Sequence, residues 1–411
     1  MVDAVMIGLG SMIGAGAFAA FAPAARAAGN GLLIGLALAA FVAFCNATSS
    51  AELAALFPES GGAYVYGRRQ LSPFWGFLAG WGFVIGKLAS CAAMALTFGS
   101  YAAPSLTRPL AVGAVAILTA VNYFGVQKTA LVTRIIVAIV IATLATVVAA
   151  VWLGGSIDMA RVWPLRGASA FGILQAAGFL FFAFAGYARI ATLGEEVADP
   201  KRVIPRAIPI ALAITLAVYG AVALSVLAGA GSDATAASKA PLATAVTAGR
   251  LGGLAPVVRV GASVASLGVL LSLIAGVSRT LFAMSSNRDM PAFLSSVHPR
   301  YRVPHRAEIV VGAIVMTIAA ITDIRNAIGF SSFAVLVYYA VANGSAWTLR
   351  ADQRRWPRAF SAVGVVGCLA LAIALPTASI IGGSILLAAG ALVYFVRQRD
   401  RRARGAHELN K

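Results

Sequence analysis

Long apolar stretches separated by short polar loops repeat along the whole chain. Twelve of them could cross a bilayer as helices, which takes about 20 predominantly apolar residues. They cover residues 4–26, 31–57, 73–103, 109–126, 130–154, 169–192, 204–230, 256–285, 307–324, 327–349, 359–375 and 378–396. We therefore predict an all-α, polytopic membrane protein with twelve transmembrane helices. Pro376 and Thr377 leave open whether a tight turn or a kink joins the last two segments.

The first apolar segment has glycines at its centre, at Gly10, Gly14 and Gly16. Each glycine costs a helix interior up to about 1 kcal/mol relative to alanine. We predict a break in the helix that offers backbone N–H and C=O groups to a ligand, since non-helical backbone at this depth must line a cavity or be buried. Gly10 and Gly14 also fit the GxxxG spacing of helix packing. A cleaved signal peptide is disfavoured, because Asp3 and no basic residue precedes the segment.

The sixth segment has a second glycine-containing interruption, at Phe184-Ala185-Gly186, five segments after the first. Because five is an odd number of membrane crossings, a second repeat of five helices has the opposite orientation in the membrane to the first. We predict one membrane transport domain with inverted repeats over about 1–154 and 169–350, two extra helices over 359–396 and a basic cytoplasmic tail over 397–411. Paired interruptions in corresponding positions indicate a binding site near the membrane midplane. Two independent packing motifs are the alternative.

Composition narrows the class of protein further. The chain has 411 residues, of which 60% are hydrophobic and 11% charged, with a net charge of +18; soluble domains have about 25% charged residues. The basic residues lie in short loops between the apolar segments, where they set the orientation of a membrane protein and do not indicate nucleic-acid binding. Their distribution predicts a protein of the cell membrane with both termini in the cytoplasm. Cys45, Cys91 and Cys368 form neither a disulfide framework nor a metal site. We expect no enzyme activity and no cofactor.

Further motifs follow in order along the chain. They are Phe57-Pro58-Glu59-Ser60-Gly61-Gly62-Ala63-Tyr64, then Glu195-Glu196-Val197-Ala198-Asp199-Pro200, then Ser278-Arg279 with Arg288-Asp289 and Pro291. Together with the glycine stretch of the first segment, they resemble the amino acid–polyamine–organocation family of permeases. The resemblance implies a leucine-transporter-type fold of five plus five helices, alternating access, and a substrate with an α-amino and an α-carboxylate group.

The resemblance also implies a substrate site at the two interruptions. The half-helix after the first break presents free N–H groups and a partial positive charge to the carboxylate. Carbonyl groups of Met12, Phe182 and Ala185 would accept hydrogen bonds from the ammonium group. The side chain of Phe182 aligns with the aromatic gate of the family and would cover the substrate. The predicted binding residues are Met12, Gly14, Ala15, Gly16, Ala17, Phe182, Ala183, Ala185 and Gly186.

An acidic loop follows the sixth segment. Glu195 and Glu196 lie close in sequence to Lys201, Arg202 and Arg206. They are predicted to form an inner gate that pairs with basic residues of neighbouring loops. A solvated loop whose ion pairs contribute little to stability is the alternative.

Lys87 lies near the middle of the third segment. A lysine there costs about 2.5–3.5 kcal/mol on insertion scales and marks a functional site. Some family members have a coupling lysine in the fifth helix, where this chain has Val140. Lys87 could therefore load and release the coupled proton, or it could pair with an acidic or polar substrate side chain. A sodium site at Ser266 and Ser272 is the further option, although serines in membrane helices usually bond their own backbone.

These features predict a secondary amino acid permease, whose partners are an amino acid substrate and the lipid bilayer. The predicted coupling ion is H⁺, and Na⁺ is less favoured. An amino acid/polyamine exchanger and a non-transporting substrate sensor remain alternatives. A divalent-metal transporter of the same fold is disfavoured, because Met12 is the one metal-binding side chain near the breaks. The side-chain preference and the oligomeric state are left open.

Overall fold

The structure is a computed structural model that describes residues 1–14, 16–57, 59, 61–125, 130–165, 168–187 and 200–409. Over these residues the regular secondary structure is helical, without strands. The α-helices are α1 (Val2–Met12), α2 (Gly16–Ala19), α3 (Phe21–Ala28), α4 (Leu32–Leu56), α5 (Ala63–Gln70), α6 (Pro73–Ala102), α7 (Thr107–Tyr123), α8 (Ala130–Leu153), α9 (Ala170–Phe184), α10 (Pro200–Ala237), α11 (Pro241–Thr247), α12 (Ala255–Ser286), α13 (His305–Ile321), α14 (Ile324–Trp347), α15 (Arg358–Ala374) and α16 (Thr377–Leu409). Short 3-10 helices cover Gly29–Gly31, Pro104–Leu106, Met159–Arg161, Ala185–Tyr187, Gly252–Leu254, Ala292–Ser295 and Ala351–Gln353.

Helices of membrane-spanning character dominate the described chain. Eight helical stretches have the length and composition to cross a membrane, and three further apolar stretches are shorter. Each predicted apolar segment contains a helix. The all-α, polytopic class is therefore confirmed, whereas the count of twelve membrane crossings and the inverted repeat stay predictions.

The first segment is interrupted where its glycines predicted a break. Helix α1 ends at Met12, Ile13 leaves helical geometry with φ −76° and ψ 50°, and α2 begins at Gly16. Hydrogen bonds from Ala20 N–H to the Gly16 carbonyl and from Ala24 N–H to the Ala20 carbonyl join α2 to α3. The bend between α2 and α3 has a local cause, because Pro23 has no N–H to donate to the Ala19 carbonyl four residues earlier. The backbone after the break is thus one slightly bent half-helix.

The observed helices differ from some of the predicted segments in their limits. The segment 204–230 is part of the longer helix α10, which includes a non-helical residue at Gly231 with φ 80°. Helices α5 and α11 were not predicted, because both are too short to cross a bilayer. Helix α15 ends at Ala374 and α16 begins at Thr377, so a turn separates the last two predicted segments. The end of the segment 169–192 lies outside the described residues.

Helices α6 and α14 form the most buried part of the fold. Of their most apolar windows, 83% and 78% of the residues are buried. A Cβ added to Gly86 of α6 would lie 3.0 Å from the Ala334 Cβ of α14, and the hydroxyl groups of Ser90 and Ser331 are 2.7 Å apart. Small residues let membrane helices approach closely and polar ones then bond across the contact. This pair provides the rigid support beside the two interruptions.

A buried carboxylate fixes the loop before α15. The Oε1 atom of Glu52, near the end of α4, accepts hydrogen bonds from the backbone N–H groups of Arg355 at 2.7 Å and Trp356 at 2.8 Å. Glu52 is 4% exposed. Its removal would leave two poorly solvated N–H groups without their acceptor.

We expect Glu52→Ala to lower the free energy of unfolding by about 3 kcal/mol or more, since each hydrogen bond to a charged group contributes about 1.5–3 kcal/mol. Glu52→Gln keeps an acceptor oxygen and should cost less. The control is Glu59→Ala, because Glu59 pairs with Arg69 on the surface, where both side chains are more than half exposed. Thermal unfolding of the purified variants checks the prediction, and equal losses in Glu52→Ala and Glu59→Ala would contradict it.

Candidate substrate-binding site

The two interruptions touch each other. A Cβ added to Gly186 would lie 2.7 Å from the Met12 nitrogen and closer still to the Ser11 carbonyl group. A Cβ added to Gly16 would lie 2.8 Å from the Ala183 Cα. The chains come this close only because both glycines lack a side chain. The structure therefore brings together the two stretches that the sequence placed at one site.

Tyrosine hydroxyl groups hold the carbonyl groups of both interruptions. Tyr219 of α10 donates to the Met12 carbonyl and, at 3.3 Å, to the Ala183 carbonyl. Tyr339 of α14 donates to the Ala185 carbonyl at 3.2 Å. Each carbonyl has a second lone pair, so Met12 and Ala185 can still accept a bond from a substrate ammonium group. The tyrosines fix the direction in which that lone pair points.

Tyr219 and Tyr339 were missed by sequence reasoning. The signal was present, because each is a tyrosine in the middle of an apolar segment, and a buried tyrosine hydroxyl usually finds a hydrogen-bond partner. The sequence alone does not give that partner. Tyr219 is 207 residues from Met12 along the chain, and Tyr339 is 154 residues from Ala185.

Three phenylalanines at the end of α9 differ in how deeply their side chains are buried. Phe181 is buried against Tyr339 with ring centroids 5.7 Å apart, and Phe184 is buried against Tyr219 at 5.3 Å. Phe182 is only partly buried. Of the three rings, Phe182 is thus the least buried, as a residue that covers a substrate would need to be.

We expect Phe182→Ala to weaken substrate binding by about 1.5–3 kcal/mol, the value of one buried aromatic side chain. That corresponds to a rise in Kd of roughly 10- to 150-fold. Calorimetry on the purified protein measures it, with Phe171→Ala as the control, because Phe171 lies on the same helix and is 59% exposed. An unchanged Kd in a folded Phe182→Ala variant would rule out the covering role.

Most of the other predicted binding residues are closed off from solvent. Met12, Gly14, Gly16, Ala17, Ala183 and Ala185 are buried, while Gly186 is partly exposed. Ala15 and the predicted gate residues Glu195 and Glu196 lie outside the described residues. Their roles stay predictions. The buried backbone groups can bind a substrate only if a path to them opens.

The glycines of the first segment also pack against other helices. A Cβ at Gly10 would lie 2.7 Å from a methyl group of Val137 in α8, and one at Gly14 would lie 2.5 Å from a methyl group of Val269 in α12. Both glycines therefore allow close packing. They face two different helices, so they do not form the single seam of a GxxxG pair.

Lys87 lies at the middle of α6, as predicted. Its ammonium nitrogen is 5.8 Å from the centroid of the Phe83 ring. No hydrogen bond or ion pair of Lys87 occurs with any described residue. Phe83 packs on Tyr338 with centroids 5.3 Å apart, and the next residue, Tyr339, bonds the second interruption. A series of side-chain contacts that passes through α14 therefore leads from Lys87 to the second interruption.

The serines proposed for a sodium site bond their own helix. The hydroxyl groups of Ser266 and Ser272 donate to the carbonyl groups of Ala262 and Gly268 at 2.8 and 3.1 Å. This pattern is ordinary for serine in a membrane helix. It adds no support to sodium binding.

Known membrane transporters are similar to this protein over nearly the whole chain. A family model described as "Amino acid permease" matches residues 1–397. An uncharacterized transporter of Mycobacterium tuberculosis is 59% identical over 98% of this chain and 92% of its own length. The branched-chain amino acid permease BcaP of Bacillus subtilis is 25% identical over 97% and 92%, and the serine/threonine exchanger SteT of the same organism is 27% identical over 87% and 84%. The matched region includes both interruptions.

Proposed function

Because the chain belongs to the amino acid permease family, we propose that it moves amino acids across the cell membrane by alternating access, with protons as the coupling ion. Membership of the family, transporter relatives and several apolar helices support a multi-pass transporter. The positive charge of the predicted inner loops supports cytoplasmic termini.

The observation that carries this proposal is the contact between the two helix interruptions. One side offers the N–H groups at the start of the half-helix that begins at Gly16, which attract a carboxylate. The other side offers the carbonyl groups at the end of α9, which suit an ammonium group. A free α-amino acid has both groups on one carbon atom. The backbone can therefore bind the part that all amino acids share, and Phe182 contacts the part that differs.

Burial of these backbone groups supports alternating access. The close approach of Gly16 to Ala183 and of Gly186 to Ser11 leaves no room for a side chain between them. A substrate that enters must therefore separate the interruptions from the supporting helices on one side at a time. This matches the behaviour of transporters in which one repeat moves against the other around a midplane site.

Lys87 is our candidate for the coupling residue. It lies at the centre of α6, and it lacks an ion-pair partner among the described residues. An intramembrane ionisable group in this situation marks an ion or substrate pathway. The same position would let it select substrates with an acidic or polar side chain, which is the alternative role.

Counterflow in proteoliposomes tests the function. Vesicles containing the purified protein and a high internal concentration of one amino acid should accumulate a labelled trace of it without any ion gradient. A panel of branched-chain, hydroxyl and cationic amino acids and polyamines, added as competitors, identifies the substrate class. If an imposed pH gradient also drives accumulation of the labelled amino acid, the transport is proton-coupled. If accumulation occurs only when the vesicles contain internal substrate, the protein is an exchanger. A lack of counterflow with every compound would contradict transport.

A further inference from the structure

Three carboxylate side chains are at least nine-tenths buried in the described part of the chain. They are Glu52, Asp289 and Glu308, with exposed fractions of 4%, 4% and 2%. Glu52 bonds two backbone N–H groups, and Asp289 accepts from the Tyr64 hydroxyl at 2.7 Å and pairs with Arg68. The Oε2 atom of Glu308 has no hydrogen-bond partner. A buried carboxylate oxygen without a partner is costly, so Glu308 is the one of the three that local structure leaves unexplained.

Glu308 lies in the first turn of α13, which packs against α6, α7 and α12. From α12, the buried Ser278 donates its hydroxyl hydrogen bond to the Ile274 carbonyl at 2.8 Å, and the next residue, Arg279, is exposed. From α6, the buried Cys91 lies one helical turn beyond Lys87. The helix that holds Lys87 is therefore one of the three helices that pack against the helix of Glu308.

The remaining polar surroundings of this part of α13 are few. Thr119 of α7 packs against Gly312, one turn beyond Glu308. His305 at the start of α13 packs against Tyr123 of α7 and against His298, and Arg306 follows it. The 3-10 helix Ala292–Ser295 adds no titratable side chain to this contact. No described residue neutralises the free oxygen by a hydrogen bond.

We propose that Glu308 binds the coupled proton, an inference that rests on the proton-coupled transport proposed above. An O–H bond forms at Oε2 when the pathway delivers a proton, and this removes the uncompensated negative charge from the interior. The same bond breaks when the pathway opens to the cytoplasm, and the proton passes to water. Carboxyl groups at such depth serve as proton carriers in other pumps and transporters.

Glu308→Gln tests the proposal, because the amide keeps the shape and cannot release a proton. In proteoliposomes, we expect the variant to retain counterflow and to lose both accumulation driven by an imposed pH gradient and substrate-dependent proton flux, measured with an internal pH indicator. Glu308→Asp should regain part of the gradient-driven accumulation. Glu52→Gln is the matched control, because Glu52 is also a buried acid but has hydrogen-bond partners. Accumulation by this variant should still depend on the pH gradient.

Gradient-driven accumulation and proton flux in Glu308→Gln at the wild-type level would overturn the proposal and leave proton-coupled transport intact. A wild-type protein that shows counterflow without any response to the pH gradient would instead overturn the proton coupling, and this inference with it. The two failures are therefore separate results.

A second measurement needs no variant. A hydrophobic carbodiimide adds to protonated carboxyl groups, and mass spectrometry of the tryptic fragment between Arg306 and Arg325 locates the adduct. In the wild-type protein, we expect labelling of Glu308 that increases as the pH is lowered and decreases when substrate is added. Labelling that is independent of both pH and substrate, or that is absent at every pH, would overturn a proton-binding role.

Discussion

Replacement of Gly186 by alanine is expected to abolish uptake while the protein still reaches the membrane. The added Cβ would meet the carbonyl group of Ser11 and, at 2.7 Å, the nitrogen of Met12. These are backbone atoms in the last turn of α1, so no side-chain rotation can relieve the contact. Overpacking costs about 1–3 kcal/mol even where side chains can adjust. The two interruptions must therefore separate, and the substrate groups on either side of them lose their alignment.

Gly220→Ala is the matched control for this change. Gly220 lies in α10 beside Tyr219, and a Cβ there would have no heavy atom within 4 Å. We expect it to transport normally and to gain up to about 1 kcal/mol of stability, since alanine favours a helix over glycine. Uptake and surface expression of both variants are measured in the same cells. Normal uptake by Gly186→Ala, with unchanged apparent affinity, would show that the close approach of the interruptions is not needed.

Lys87→Met is expected to eliminate proton-driven accumulation without loss of stability. The ammonium nitrogen lies 5.8 Å from the centroid of the Phe83 ring and has no hydrogen-bond or ion-pair partner among the described residues. A lysine at mid-membrane costs about 2.5–3.5 kcal/mol on insertion scales. Methionine removes that cost and keeps a similar length. The variant should therefore unfold at the same temperature as the wild type or above it, while an imposed pH gradient no longer concentrates substrate.

Lys239→Met provides the control for Lys87→Met, because Lys239 follows α10 at an exposed position, where its ammonium group donates to the Pro104 carbonyl at 3.5 Å. Wild-type dependence on the pH gradient in Lys87→Met would remove the proton role. If its substrate range were changed at the same time, the substrate-selecting role would stand. If neither property changed, Lys87 would be structural.

The sequence predicted the broken first helix because glycine in a membrane span has a direct local cost. Gly14 lies within the observed interruption and Gly16 begins the next helix, and α9 ends at Phe184, where the second interruption was predicted. The same local argument located Lys87 at mid-span. These features depend on neighbouring residues and on the thickness of a bilayer, so a single chain contains the information.

The features that the sequence did not reveal depend on contacts between distant segments. Tyr219 and Tyr339 bond the interruptions only because α10 and α14 pack there. Glu308 was overlooked because it lies at the start of a predicted segment, where an acidic residue at a helix N-terminus is ordinary. Its burial depends on the helices α6, α7 and α12, which pack against α13.

The binding of an amino acid at the paired interruptions is the central claim, and protection of a thiol introduced by Phe182→Cys tests it most directly. The native Cys45, Cys91 and Cys368 are fully buried, so background labelling by a water-soluble thiol reagent should be small. Phe171→Cys, at the exposed far end of α9, is the control. With an amino acid that the Phe182→Cys variant still transports in counterflow, we predict slower labelling at position 182 and unchanged labelling at position 171. Equal labelling rates at position 182 with and without that amino acid would contradict the site.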